Sequence, residues 1–134
     1  MIKTFVAYAA AALVFGAADA VWLTVMGPRL YRPVLGPILA DKIDLPAAAA
    51  FYLIYIGGIV FLAVTPALKD GQWRTAAING LVLGLVAYGA YDLTNQATLK
   101  LWSSKLTLAD MAWGGGMTAL AAVAGFLATR LVRA

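Results

Sequence analysis

Four stretches of this chain are almost wholly apolar: Thr4 to Met26, Pro46 to Pro66, Thr75 to about Leu99, and Leu108 to Thr129. Each is near or above the roughly 20 residues that a helix needs to cross a hydrocarbon core. The pattern predicts an all-α integral membrane four-helix bundle, one four-span transmembrane domain. Between the first two stretches, residues 27–45 are too apolar for a free loop, yet Pro28, Pro33 and Pro37 interrupt them. Proline removes a backbone donor and breaks a helix interior. This segment is therefore expected to form short pieces in the membrane interface, with Leu30, Val34, Leu35, Ile38 and Leu39 in the interface and Arg29 and Arg32 facing lipid headgroups. A lid or phosphate-binding arm is its functional alternative. Residues 65–74 read as an ordinary turn with Trp73 at the interface.

The few polar positions inside the apolar stretches carry the most information. On insertion scales an ionisable side chain at mid-membrane costs about 2.5–3.5 kcal/mol, so it is expected to face protein or a wet cavity and to have a partner. Asp19 interrupts the first stretch, Asp92 falls near the end of the third, and Asp110 near the start of the fourth. At about 1.5 Å per residue, Asp19 lies roughly 22 Å into its span and Asp92 roughly 24 Å into its own. Both spans run the same way, so the two carboxylates share a level, in the third of the membrane opposite the termini. Tyr52 and Tyr55 fall about two to three turns below that face, and Asp110 and Trp113 about one turn below it.

Helical spacing groups these residues further. Tyr88, Tyr91, Asp92, Asn95 and Trp102 form one stripe along the third helix, with Thr98 at its edge. Gly80 and Gly84 make a small-xxx-small pair whose i, i+4 row continues through Tyr88 to Asp92, so a close helix contact leads into the polar cluster. Ala12 with Gly16, and Gly114 with Thr118, read as similar packing rows. Asp19-Ala-Val-Trp22 and Asp110-Met-Ala-Trp113 both place an acid and an indole on one face, and they run in opposite directions. That hints at an inverted relation between the first and fourth helices, although four residues are too few to establish a repeat.

Each acid also has a plainer role. Thr107-x-x-Asp110 resembles an N-terminal capping signature, Asp19 could pair with Arg29 or Arg32, and Asp92 could be a hydrogen-bond hub locking the helices. The tryptophans are first of all interface anchors. What these roles leave unexplained is several polar residues at one level, where locking needs only one.

Composition narrows the chemistry. The 134 residues are 63% hydrophobic and 12% charged, with a mean hydropathy of +0.87. Cysteine, histidine and glutamate are absent, so thiolate sites and histidine-activated nucleophiles are excluded, and proton chemistry falls to Asp, Tyr, Lys, a terminus or water. Ser103 and Ser104 lack an activating histidine, which argues against an enzyme in its own right. No cofactor or metal is expected, although a hard cation on Asp19 and Asp92 would suit oxygen ligands. The net charge of +4 is scattered among loops and ends, which favours anionic membrane lipids over nucleic acid as partners. Lys3, Lys69, Arg74, Arg130 and Arg133 balance Arg29, Arg32, Lys42, Lys100 and Lys105 across the two faces, and the amino terminus tips the prediction toward cytoplasmic termini. The first stretch is too long for a signal-peptide core and contains Asp19, so it reads as a retained helix.

The run Tyr91-Asp-Leu-Thr-Asn-Gln-Ala-Thr-Leu99 with Trp102, together with Asp19-x-x-Trp-Leu23, Phe51-Tyr-Leu-Ile-Tyr-Ile-Gly58 and Asp110-Met-Ala-Trp-Gly114, resembles the signatures of an uncharacterised bacterial family of small four-span membrane proteins. The resemblance covers nearly the whole chain. It implies a four-span protein of the bacterial cytoplasmic (inner) membrane and a connection with lipids, and it supplies no reaction, substrate or catalytic residue.

Two functions follow as expectations. In the first, Asp19, Trp22, Tyr52, Tyr55, Tyr88, Tyr91, Asp92, Asn95, Asp110 and Trp113 surround a site that binds or transports a small polar ligand or lipid headgroup, with proton or cation coupling through aspartate. A homodimer would supply the room for a pathway that four helices lack. In the second, the chain is a non-catalytic accessory subunit of a membrane complex, and the polar cluster is structural.

Overall fold

A computed structural model describes residues 1–132; Arg133, counted above among the basic residues of the terminal face, lies outside the described residues. Four helices long and apolar enough to cross a membrane account for most of the chain: Ile2–Ile38, Leu45–Asp70, Trp73–Thr98 and Ser104–Arg130.

The first span does not stop at Met26. Helix α1 (Ile2–Met26) passes directly into a π-helical turn (Gly27–Tyr31), then α2 (Arg32–Leu35) and a 3-10 turn (Gly36–Ile38). The prolines were expected to leave separate interfacial pieces. Instead each stands in the opening turn of the next segment, where the missing N–H costs little. Leu30 and Leu35 are buried against Leu106 of the fourth span, whereas Ile38 and Leu39 are exposed. Arg29 and Arg32 are exposed.

The second span comprises α3 (Leu45–Ile59), a π-turn (Val60–Val64) and α4 (Thr65–Asp70). Asp44 caps it, accepting from the Ala47 N–H at 3.1 Å. Its irregularity traces to Pro66, which cannot donate to the Leu62 carbonyl four residues back. Asn79 Nδ2, on the third span, donates to that carbonyl at 3.2 Å. Thr65 Oγ1 meanwhile donates to the Val60 carbonyl at 2.9 Å. Asn79 thus repairs a proline defect in the neighbouring span. Gly71, with φ of 75°, ends the span in the left-handed conformation that favours glycine.

Helices α5 (Trp73–Thr98) and α6 (Ser104–Arg130) form the closest pair, and glycine makes the approach possible. A Cβ at Gly80 would lie 2.8 Å from Ala119 Cα, and one at Gly84 would lie 2.8 Å from Gly115 Cα. The ring of Tyr88 occupies the space a Cβ at Gly114 would need. The row Gly80, Gly84, Tyr88 and Asp92 therefore runs along α6, as its i, i+4 spacing predicts. Around this pair, Ala7, Ala11 and Phe15 of α1 pack with Ile56, Ile59 and Val64 of the second span and Phe126 of α6. Phe5, Leu13, Ile54, Phe61, Val82 and Val86 point outward, an apolar surface suited to lipid.

The two ends of the bundle differ. Lys3, Leu68, Gly71 and Arg130 gather at one end, bringing both termini to one side. Trp22, Leu30, Leu35, Trp102 and Leu106 close the other.

Candidate functional site

The end opposite the termini assembles three aspartates from three helices. Asp19 is 8% exposed, Asp110 5% and Asp92 fully buried. Asp19 Oδ2 accepts the Tyr52 hydroxyl, and its Oδ1 accepts Trp113 Nε1 at 3.3 Å. Its partners are neutral donors from α3 and α6, not Arg29 in the π-turn or Arg32 at the start of α2, both of which are exposed.

Asp110 Oδ1 accepts the hydroxyl of Tyr31, and that hydroxyl in turn accepts Trp22 Nε1 at 2.9 Å. The expected capping role for Asp110 is not what it does. Ser103 caps α6, accepting from the Leu106 N–H at 3.1 Å, so Asp110 falls in the second turn. Thr107 is buried and its hydroxyl accepts from Trp102 Nε1 at 2.8 Å. Trp102 itself is not on the third helix, which ends at Thr98; it folds back edge-on to Tyr91, with ring centroids 5.7 Å apart.

The two Asp-x-x-Trp motifs are cross-connected. Trp22 and Trp113 stack at 4.4 Å with 10° between their planes. Trp113 donates to the acid of the other motif directly, and Trp22 reaches Asp110 through Tyr31. Each indole thus serves the opposite helix's carboxylate.

Asp92 stands behind this layer. Its two oxygens are buried and have no hydrogen-bond partner, and its carboxyl group lies against that of Asp110, within hydrogen-bonding reach. Asp92 faces Asp110 and not Asp19, so a hard cation held by Asp19 and Asp92 together has no basis in the geometry. Among the described residues no group of three or more His, Cys, Asp or Glu side chains is arranged to hold a metal ion.

In front of the acids is a cleft of about 340 Å³, lined by Asp19, Leu23, Tyr31, Phe51, Ala87, Tyr88, Tyr91 and Asp110. Its walls are chiefly aliphatic and aromatic, and its charged acceptors are the two carboxylates. Of the residues expected at a site, Asp19, Tyr88, Tyr91 and Asp110 border this cleft. Tyr52 and Trp113 donate to Asp19 and Trp22 to Tyr31 without bordering the cleft themselves. Tyr55 lies apart, sharing a hydrogen bond of 2.7 Å with Thr118 and packing on Phe15. Asn95 neither borders the cleft nor makes a side-chain hydrogen bond among the described residues.

Tyr31 went unrecognised because its segment read as interfacial. A π-turn inserts one residue into the helical register. Discounting that residue, Tyr31 follows Asp19 by eleven positions, about three full turns, and returns to the same face. The signal was Tyr31 between Pro28 and Pro33 in a segment too apolar to leave the bundle.

A family model described as "Predicted membrane protein (DUF2177)" matches residues 4–127. No curated protein and no solved structure matches the chain.

Proposed function

The chain belongs to this family of predicted membrane proteins, and we propose that it acts there as an intramembrane binding module for amphiphilic molecules bearing a cationic or hydrogen-bond-donating head. The observation that carries this reading is the lining of the cleft: apolar walls from Leu23, Phe51 and Ala87, tyrosine rings, and Asp19 and Asp110 as acceptors, with no lysine or arginine among its lining residues. Its volume falls within the range of small-molecule sites. A carboxylate in apolar surroundings attracts a cation far more strongly than in water, and the faces of Phe51, Tyr88 and Tyr91 add cation–π attraction. An anionic phosphate head would meet only like charge. The geometry therefore favours a donor-bearing head over the phosphate-binding arm considered for residues 27–45.

Binding of tetraphenylphosphonium to protein reconstituted in zwitterionic lipid tests the proposal. Saturable binding is expected, weakened about tenfold or more by Asp19→Asn, since a hydrogen bond or contact to a charged group contributes roughly 1.5–3 kcal/mol. Phe51→Ala should weaken it by a smaller factor. Equally tight binding of the anion tetraphenylborate, or no effect of Asp19→Asn, would refute the reading.

A further inference from the structure

Of the three clustered acids, two have donors and one has none. Asp19 accepts from Tyr52 and Trp113, and Asp110 accepts from Tyr31. Asp92, fully buried, has no partner on either oxygen. A buried acceptor left without a donor incurs the whole desolvation penalty of the group, and two ionised carboxylates in contact repel strongly. A single proton between Asp92 and Asp110 removes both costs, because the protonated carboxyl becomes a donor to the other.

We propose that Asp92 and Asp110 together bind one exchangeable proton, as a carboxylic acid–carboxylate pair, and that this proton is released when a cation enters the cleft. The coupling rests on the binding role argued above, whereas the shared proton does not. Asp110 borders the cleft and Asp92 does not, so an arriving cation touches only the outer member of the pair. One positive charge enters as one leaves, and the charge of the site is conserved. The titratable groups facing the pair are Asp19 from α1, Tyr31 from the π-turn, and Tyr88 and Tyr91 from α5, with Tyr52 one step further out on Asp19. All of these are acids or phenols, so the neighbourhood supplies protons and acceptors and no competing cation. Tyr31 donates to Asp110 and keeps one of its oxygens engaged.

Infrared spectroscopy of the ligand-free protein, exchanged between H2O and D2O, tests the shared proton without any ligand. A protonated-carboxyl stretch with a deuterium shift is expected, and it should disappear in Asp92→Asn, whose amide can donate to Asp110 in the proton's place. Circular dichroism of that variant verifies the helical fold, and Asp110→Asn, which should also lose the band, serves if Asp92→Asn does not fold. No such band in the wild type, or a band unchanged in both variants, would overturn the pair. Proton release into weakly buffered detergent on adding tetraphenylphosphonium then tests the coupling. One proton per cation is expected, with the apparent Kd changing up to tenfold per pH unit in the wild type and little in Asp92→Asn. Binding without release would overturn the coupling. A persistent band with no binding of the cation would support the shared proton while removing the binding role proposed for the cleft.

Discussion

Substituting Gly84 by alanine should separate the two most closely packed helices and disturb the aspartates two turns away. The added methyl would lie 2.8 Å from Gly115 Cα and closer still to the carbonyl oxygen of Gly114, both backbone atoms that cannot rotate aside. Restoring an ordinary contact of 3.4 Å requires α5 and α6 to part by at least about 0.6 Å. Overpacking of this kind typically costs about 1–3 kcal/mol. Asp92 is eight residues further along the same row, about 12 Å away, so the wedge acts directly on the Asp92–Asp110 contact. The matched control is Gly116→Ala: Gly116 is exposed on α6 and has nothing within 4 Å of an added Cβ, so the change should be neutral or gain up to about 1 kcal/mol from helix propensity. Thermal unfolding in a fixed detergent, followed by tryptophan fluorescence, compares the three proteins. A fall of several degrees for Gly84→Ala with none for Gly116→Ala is expected. A Gly84→Ala protein that melts with the wild type would show that the glycine row does not set the helix spacing.

Other substitutions probe contacts the sequence did not announce. Asn79→Leu should cost about 0.6–1.7 kcal/mol, the range for hydrogen bonds between membrane helices, and the loss should shrink in a Pro66→Ala background, where the restored amide can serve Leu62; a double-mutant cycle with no coupling would contradict the repair. Tyr31→Phe strips Asp110 of its donor and Trp22 of its acceptor, and should lower stability by roughly 1.5–3 kcal/mol in mixed-micelle denaturation; wild-type stability would show that the relay holds nothing. Trp113→Phe keeps an aromatic ring over Trp22 while deleting the donor to Asp19, so the near-UV circular dichroism of the stacked indoles should collapse while the far-UV spectrum stays intact. An unchanged near-UV spectrum would mean that the stack does not form in solution.

The all-α four-helix architecture was legible because apolar runs of spanning length admit few other structures. The glycine row was legible too: Gly80, Gly84, Tyr88 and Asp92 share one helix face by spacing alone, although small residues on the other spans left its partner helix open. The level of Asp19 and Asp92 followed from helical rise. Direction around the helix was harder, since depth does not say which carboxylate meets which, and Asp92 was matched with Asp19 when it faces Asp110. The helical continuity from Met26 to Ile38 was harder to foresee, because proline was weighed as a breaker and not as a residue at home in an opening turn. That continuity is what brings Tyr31 back to the face of Asp19. The pairing of Asn79 with a carbonyl orphaned by Pro66 depends on two spans lying side by side, which no local pattern announces.

The stacked tryptophans join the first and last spans of the chain, and Trp113 lies 94 residues beyond the carboxylate it serves. Chains emerge from the ribosome amino end first, so the span carrying Asp19 must enter the bilayer long before its indole donor exists. Tyr52, 33 residues on, arrives with the second span and can shelter the acid in the interval. The acidic layer is completed only when the final helix docks, which makes its assembly a report on whether membrane insertion of the whole chain has succeeded.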